Sequence, residues 1–206
     1  MDRIRAAFDL DGVLANSLDI ILDSLTSLGY LPKLNDRNEF HFNFQKGLAP
    51  PKDFLWDVFF YRLFTERFDE ITLVDDYSVD FLNEIYAFTN EPIRIITARP
   101  SGALMHHATM TWLDRNYPDV SFSVDVVGSG SVKHQYMYDK SMIFEDRRKT
   151  SVSMALLGYD VFMINTDYNR LDDLEYWPEH LRTFDSFEDL LFDDVTMELI
   201  CPGCRS

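Results

Sequence analysis

The sequence has little positive charge and no long apolar run. Only 19 lysines and arginines stand against 35 aspartates and glutamates, so the formal net charge is −16 at pH 7. This balance argues against a stable nucleic-acid partner or an anionic membrane surface, because both require extended positive charge. Local positive charge in a pocket can still hold a small phosphorylated ligand. No stretch of the sequence is long and apolar enough to predict a membrane span.

Cysteine is also scarce, since Cys201 and Cys204 are the only two and both lie near the C-terminus. Their number and place argue against a disulfide framework and fit a reducing compartment. An apolar segment begins almost at the N-terminus and leaves no room for a signal peptide, so we expect a cytoplasmic protein. The Cys-x-x-Cys spacing resembles half of a zinc knuckle without its second half. A frayed tail is the simpler interpretation, zinc shared between subunits is the alternative, and a homodimer is among the oligomeric states left open.

The most informative stretch lies between residues 4 and 14, where an apolar run ends in Asp9 and Asp11 and continues into Gly12. A short apolar segment before a turn signal predicts a buried parallel strand, and on an extended chain the two carboxylates point the same way. Open α/β sheets bind their ligands at such strand ends. The two carboxylates repel unless a cation lies between them, and oxygen ligands suit Mg²⁺. An acidic turn that only caps the next helix accounts for Asp11 but leaves Asp9 unexplained.

Apolar strands alternate with helical segments along most of the chain. After the first strand, the pattern predicts strands at 93–96, 123–127, 142–144 and 161–164, and helices at 16–28, 77–88, 103–116, 132–138, 150–157 and 187–199. Such alternation is typical of a parallel sheet with right-handed crossovers. The sequence therefore predicts an α/β fold, a Rossmann-like parallel sheet flanked by helices.

The stretch from about residue 29 to residue 74 interrupts this alternation. It is rich in aromatic residues, is punctuated by prolines and shows no clean strand, although 52–68 has the pattern of an amphipathic helix. We interpret residues 17–74 as a small helical cap inserted after the first strand. Residues 1–16 and 75–206 then form the core of the fold.

Further polar residues follow the other predicted strands. Thr97 ends one strand, and its hydroxyl with the neighbouring N–H of Ala98 could hold a phosphoryl oxygen, although a threonine at this place often only caps a helix. Lys133 begins a helix after a Gly/Ser loop, where a positive charge opposes the helix dipole and calls for an anionic partner. Lys140 is the competing choice, and either lysine could simply be solvated. Asp146 follows the strand at 142–144, where a plain helix N-cap is the other interpretation.

In their order and spacing, these segments resemble the four motifs of the haloacid dehalogenase superfamily of aspartate-nucleophile phosphatases. FDLDGV resembles the first motif, ITARP the second, the lysine at 133 or 140 the third, and FEDR the fourth. Within that superfamily the chain looks most like the 5'(3')-deoxyribonucleotidase group, on the grounds of its insertion, its ITARP and FEDR forms and the Tyr168-Asn169 pair. It departs from the group at Glu145, where aspartate is usual, and in the spacing of its third-motif lysine.

The resemblance implies a mechanism and a cofactor. Asp9 would attack phosphorus and form an aspartyl-phosphate, and Asp11 would protonate the leaving alkoxide and then activate water. Mg²⁺ would be held by an Asp9 oxygen, the backbone carbonyl of Asp11 and the Asp146 carboxylate. Thr97 and the lysine would neutralise the phosphoryl oxygens.

The resemblance also implies a small phosphorylated substrate, most specifically a nucleoside monophosphate. The cap would close over the site, where Phe42, Phe44 and Trp56 could stack on a base and Arg99 could contact the substrate. Aromatic side chains in a small cap also form its core, so this assignment competes with a purely structural one.

Two other functional classes are open at this point. FEDR also resembles the motif of polynucleotide 3'-phosphatases, but a sizeable cap and net negative charge both oppose access by a polymer end. A non-catalytic nucleotide-binding protein on the same fold is the second alternative, because a fold alone does not establish activity.

Overall fold

The computed structural model describes residues 6–30, 32–34, 42–44, 51, 54–138, 141–166, 168–169, 171 and 174–200, with backbone alone for 32–34, 42–44, 56, 57 and 195. Its strands are β1 (Ala6–Phe8), β2 (Ala15–Asn16), β3 (Pro32–Leu34), β4 (Phe42–Phe44), β5 (Thr72–Leu73), β6 (Ile93–Thr97), β7 (Phe122–Val126), β8 (Met142–Glu145), β9 (Asp160–Ile164) and β10 (Leu181–Phe184). Its α-helices are α1 (Leu18–Ser27), α2 (Tyr61–Glu66), α3 (Tyr77–Thr89), α4 (Ala103–Asn116), α5 (Arg148–Leu156), α6 (Phe187–Phe192) and α7 (Asp194–Ile200). A π-helix (Phe54–Phe60) leads into α2, and 3₁₀ helices span Phe68–Glu70 and Gly130–Tyr136.

Six strands form one parallel sheet in the order β10-β9-β8-β1-β6-β7. The first strand of the chain therefore lies in the middle, and helices connect most successive strands of the sheet. This arrangement confirms the α/β class expected from the sequence. No helix within the described ranges is long and apolar enough to cross a membrane.

A row of aromatic rings fixes the central strands against one another. Phe8 of β1 is in register with Phe144 of β8, which is in register with Phe162 of β9. The Phe8 and Phe144 rings stack with centroids 4.3 Å apart, and the Phe144 and Phe162 rings stack at 5.1 Å. Rings packed in this way contribute beyond the burial of their area. Because Asp9 and Glu145 directly follow two of these phenylalanines, the row fixes the backbone that carries them.

The inserted segment leaves the core at β2 and returns beside it at β5. These two strands pair antiparallel, with Ala15 opposite Leu73. In between, β3 and β4 pair antiparallel as well, so the expectation of a stretch without strands is wrong. Strands this short carry too little periodicity to be recognised, and only pairing with a partner strand makes them strands. The expected helix at 52–68 is instead the π-helix followed by α2.

Two differences occur near the C-terminal end. The edge strand β10 was not expected, because polar Arg182 and Thr183 interrupt its apolar pattern. The helix expected at 187–199 is divided at Asp193, whose backbone is extended and whose carboxylate accepts a hydrogen bond from the Thr196 hydroxyl. Aspartate side chains bond locally in this way at helix ends and turns more readily than inside a continuous helix. The cysteines Cys201 and Cys204 lie outside the described residues.

Candidate active site

Polar residues meet at the carboxyl edge of the three central strands. Asp9 follows β1, Thr97 ends β6 and Glu145 ends β8, and both of these strands are direct neighbours of β1. The backbone N–H of Asp9 donates to the carbonyl of Phe144 at 2.8 Å, which joins the two strand ends. Parallel strands present their carboxyl ends on one side, so residues distant in sequence are brought together there.

Gly12 allows Asp146 to reach this edge. Its backbone φ is +84°, and any side chain on it would overlap the Asp146 carboxylate. Glycine is therefore needed here for both its conformation and its lack of Cβ. Tyr168 donates its hydroxyl proton to Asp146 Oδ2 at 2.8 Å, and Asn169 donates from Nδ2 to the Asp146 carbonyl at 2.6 Å. The Tyr168-Asn169 pair thus holds Asp146 in position.

Lys133 lies between two buried carboxylates. Its Nζ is 2.5 Å from Asp9 Oδ2 and 2.7 Å from Glu145 Oε2, and its side chain has no exposed surface. The 3₁₀ helix that carries it begins where Ser129 Oγ accepts from the N–H of Ser131. The anionic partner that the sequence called for is therefore formed by Asp9 and Glu145.

Burial and mutual repulsion alter the protonation of the site. Burial raises the pKa of Asp9 to about 7 although Lys133 opposes the shift, and burial together with the charge of Asp9 raises the pKa of Asp146 to about 7. Burial disfavours the charged ammonium of Lys133, but the two carboxylates outweigh it and raise the pKa of Lys133. Asp9 and Asp146 thus repel each other when both are ionised, which a cation between them would relieve.

The carboxylates have the composition of a Mg²⁺ site. One oxygen each of Asp9, Glu145 and Asp146 lies within 4.8 Å of the others. Glu145 uses one oxygen for Lys133 and accepts the N–H of Arg147 with the other, at 3.1 Å. Asp146 Oδ1 is buried and has no hydrogen-bond partner among the described residues. A buried carboxylate oxygen without a partner calls for a ligand, so Asp146 suits a cation better than Glu145 does.

The buried hydroxyl of Thr97 also calls for a ligand. Within the described part of the chain, Thr97 Oγ1 is buried and has no hydrogen-bond partner. A buried polar group usually has a partner, so an unpaired one at a strand end is a candidate ligand contact. The use of Thr97 and the adjacent Ala98 as anion donors stays a prediction.

Asp11 takes a different partner from Asp9. Arg99 donates to both of its oxygens, from Nε to Oδ2 at 2.8 Å and from Nη2 to Oδ1 at 2.7 Å. The Arg99 side chain has no exposed surface, whereas that of Asp11 is 18% exposed. The sequence suggested Arg99 for substrate contact, but in the structure its guanidinium is turned to Asp11. Nothing local in the sequence signals this pairing between residues so far apart.

Four predicted site residues have side chains outside the described part of the chain. Lys140 lies outside the described residues, and so do the side chains of Phe42, Phe44 and Trp56. The role of Tyr168 as a partner of Asp146 was not anticipated, although the Tyr-Asn pair after the last predicted strand was noted in the sequence. The contact between Lys133 and Glu145 was not predicted from the sequence either.

Mg²⁺ should stabilise this protein more strongly as the pH rises from about 6 to about 8. Between the ordinary carboxyl pKa and the raised value near 7, folded Asp9 and Asp146 hold more protons than the unfolded chain. The metal-free protein therefore becomes less stable as the pH rises and these two groups lose their protons. Deprotonated carboxylates bind a cation more tightly, so stabilisation by Mg²⁺ increases over the same range. Thermal unfolding with and without Mg²⁺ at both pH values measures the effect.

Substitutions of Glu145 and Asp146 show which of these two carboxylates binds the Mg²⁺. Asp146→Ala should raise the Mg²⁺ concentration needed for half-maximal stabilisation by at least about tenfold, more than Glu145→Ala does. A larger rise for Glu145→Ala would reverse the assignment, and a Mg²⁺ effect independent of pH would remove Asp9 and Asp146 from the site.

A scan of protein-family models finds no match, and none of the curated proteins matches the chain. Solved structures do resemble it. A haloacid dehalogenase-like family hydrolase, SP0104 from Streptococcus pneumoniae, aligns with 93% of this chain and 99% of its own at 19% identity and a TM-score of 0.57. CbbY from Rhodobacter sphaeroides, in complex with phosphate, aligns with 90% of this chain and 95% of its own at 15% identity and a TM-score of 0.54.

CbbY is also known in complex with xylulose-(1,5)bisphosphate, in a mutant structure that aligns over the same shares of both chains with a TM-score of 0.55 at 15% identity. At these identities the likeness concerns the fold. The chain therefore shares the fold of these structures, one of which is described as haloacid dehalogenase-like, and this is the fold that the resemblance implied. The narrower resemblance to deoxyribonucleotidases stays a prediction.

Proposed function

We propose that this protein is a phosphomonoesterase that transfers the phosphoryl group of its substrate to Asp9 and then to water. The observation that carries the proposal is the surroundings of Asp9. Among the described residues, a buried lysine contacts this carboxylate, a threonine hydroxyl without a hydrogen-bond partner ends the neighbouring strand β6, and an aspartate with one oxygen lacking such a partner directly follows β8. These are a nucleophile and the cationic and hydrogen-bonding groups that a phosphate requires.

The phosphoryl group binds where the three central strands end. Lys133 supplies a fixed positive charge, and the Thr97 hydroxyl with the N–H of Ala98 donates hydrogen bonds to the phosphoryl oxygens. Most of the catalytic effect in phosphoryl transfer comes from positioning and from stabilising dispersed charge. Donors that the protein already holds in place need no rearrangement during the reaction.

Asp9 and Asp11 have different roles in the reaction. An Asp9 oxygen attacks phosphorus as the ester P–O bond breaks, and Asp11 gives its proton to the departing alkoxide. Asp11, now a carboxylate, takes a proton from the water that attacks the phosphorus of the aspartyl-phosphate. This second step releases inorganic phosphate and restores the Asp9 carboxylate and the Asp11 acid.

The residues present fit Mg²⁺, with Asp9, Asp146 and the backbone carbonyl of Asp11 as the groups that would hold it. When bound, Mg²⁺ would reduce the repulsion between the attacking carboxylate and the anionic phosphate. Tyr168 and Asn169 keep Asp146 directed toward this place through their hydrogen bonds.

We infer that the leaving group is a nucleoside. The inserted segment between β2 and β5 is rich in aromatic residues, and α2 within it reaches the site, since the Phe64 ring packs on Arg99. Aromatic faces stack on any base, which is worth about 1–3 kcal/mol per base. Such stacking would favour a nucleotide over a sugar phosphate of equal charge.

Nucleoside monophosphates should be hydrolysed with a kcat/KM about one to two orders of magnitude above that of ribose 5-phosphate, if the stacking energy is expressed in the transition state. Replacing Phe42, Phe44 or Trp56 singly by leucine should reduce this preference in at least one case. Hydrolysis of p-nitrophenyl phosphate is the control and should not change. A Mg²⁺-dependent assay over nucleoside 5'- and 3'-monophosphates, sugar phosphates and phosphorylated oligonucleotides measures the preference.

Each arm of this screen has a defined meaning. Equal rates for ribose 5-phosphate and nucleoside monophosphates would refute the nucleotidase assignment and leave a general phosphatase. A preference for oligonucleotide 3'-phosphates would favour the polynucleotide-end phosphatase. Absence of hydrolysis throughout would contradict the proposed function itself.

A further inference from the structure

Arg99 is a buried cation beside Asp11 whose guanidinium has partners on several sides. Two of its nitrogens donate to the carboxylate of Asp11, and Nη1 donates to the hydroxyl of Thr109 on α4 at 3.2 Å. Its guanidinium carbon lies 4.3 Å from the centre of the Phe64 ring on α2. The side chain has no exposed surface, so it is closed to direct contact with a substrate.

We propose that Arg99 is a positioning residue for Asp11, and that it makes the placement of this acid/base depend on the inserted segment. The inference rests on the proposed role of Asp11 in the proposed function. The planar guanidinium matches both oxygens of a carboxylate at once, and it stays charged, so it holds Asp11 in one orientation without exchanging protons itself. When Asp11 carries its proton, one of its oxygens still accepts from the guanidinium and the other holds the proton that goes to the leaving group.

Arg99 also joins three parts of the fold. Thr109 belongs to a helix of the core, Phe64 belongs to the segment between β2 and β5, and Asp11 belongs to the turn after β1. Attraction between the guanidinium and the ring face adds to this arrangement because both are removed from water. A change at Phe64 should therefore disturb catalysis through Arg99 and Asp11.

The chain offers a matched control for this pair. Arg94 donates from Nε and Nη2 to Asp125 Oδ2 at 2.9 and 2.8 Å, and its guanidinium lies 4.5 Å from the centre of the Tyr138 ring. It is an arginine with a carboxylate and a ring as partners in the same sheet, but it precedes the strand end where the site lies. Arg94→Lys thus removes similar contacts without reaching Asp11.

The experiment compares kcat/KM for an alkyl phosphate, such as a nucleoside monophosphate, with that for p-nitrophenyl phosphate. An alkoxide needs a proton from Asp11 to depart, whereas p-nitrophenolate departs readily without one. Arg99→Lys should lower kcat/KM for the alkyl ester about 10- to 100-fold and change that for the p-nitrophenyl ester by no more than about twofold. Phe64→Leu should show the same pattern at about two- to fivefold. Arg94→Lys should change neither beyond about twofold.

A double-mutant cycle identifies the route of the effect. If Arg99 acts through Asp11, then Arg99→Lys should have almost no further effect on the alkyl ester in an Asp11→Asn background. A purely structural role would lower both esters alike and would persist in that background. Phe64→Leu keeps the inference testable if Arg99→Lys does not fold, because it leaves the ion pair of Asp11 intact.

The results separate the inference from the function on which it rests. Strong impairment by Asp11→Asn, with Arg99→Lys and Phe64→Leu no different from Arg94→Lys, would overturn the inference alone. Full alkyl phosphatase activity in Asp11→Asn, or no activity in the wild type, would overturn the proposed function and the inference with it. A selective loss on the alkyl ester that vanishes in the Asp11→Asn background would establish the positioning role.

Discussion

Asp9→Asn should lower kcat by about 10⁴-fold or more while the protein stays folded. The amide is nearly isosteric with the carboxylate but is a far weaker nucleophile, so the loss should appear in kcat rather than in substrate binding. Lys133 keeps its contact with Glu145 in this variant, so the buried ammonium still has a carboxylate partner. Steady-state kinetics with a nucleoside monophosphate and thermal unfolding of the same samples measure both effects.

Asp11→Asn is the companion variant for this test. It removes the proposed acid and base but keeps the nucleophile, so it should retain phosphoryl transfer from p-nitrophenyl phosphate to Asp9. Activity of a folded Asp9→Asn protein within about tenfold of the wild type would exclude Asp9 as the nucleophile.

Lys133→Met should lower activity by about 10²- to 10³-fold and also destabilise the fold. The substitution removes the cation that contacts two buried carboxylates, Asp9 and Glu145. Breaking a buried ion pair by removing one partner costs about 3–5 kcal/mol, because the remaining charge is left uncompensated. Denaturant unfolding gives the free energy of unfolding, and steady-state kinetics give the loss of activity.

A second substitution separates stability from catalysis. Glu145→Gln in the Lys133→Met background removes one of the uncompensated charges, so it should restore much of the stability and little of the activity. Lys140→Ala is the control from the competing lysine and should cost less activity than Lys133→Ala. Recovery of activity together with stability in the double variant would show that Lys133 acts only in folding.

The groups that surround Asp9 could largely be anticipated because they follow strands with strong local patterns. Thr97 and Asp146 each come after a short apolar run, and parallel strands bring such positions to one edge. Lys133 was harder to choose, since its burial depends on carboxylates from two other strands. The order of the motifs along the chain was more informative than any of them alone.

Other features depend on contacts that no local sequence pattern indicates. The pairing of Arg99 with Asp11 joins residues far apart in sequence, and an arginine after a strand is equally consistent with substrate contact. The short strands β3 and β5 form only because a partner strand lies beside them. The division between α6 and α7 falls at Asp193, whose backbone is extended and whose carboxylate accepts from the Thr196 hydroxyl three residues on.

The most direct test of the account is to identify the residue that carries the phosphoryl group during turnover. Borohydride reduces an acyl phosphate on aspartate to the alcohol, so quenching the enzyme with borohydride during turnover should convert Asp9 to homoserine. Asp11→Asn should accumulate more of this product, because water is then activated poorly. Mass spectrometry of the peptide containing residues 6–16 should locate homoserine at position 9. Modification at any other residue, or none in an enzyme that is turning over substrate, would contradict the assignment of Asp9 as the nucleophile.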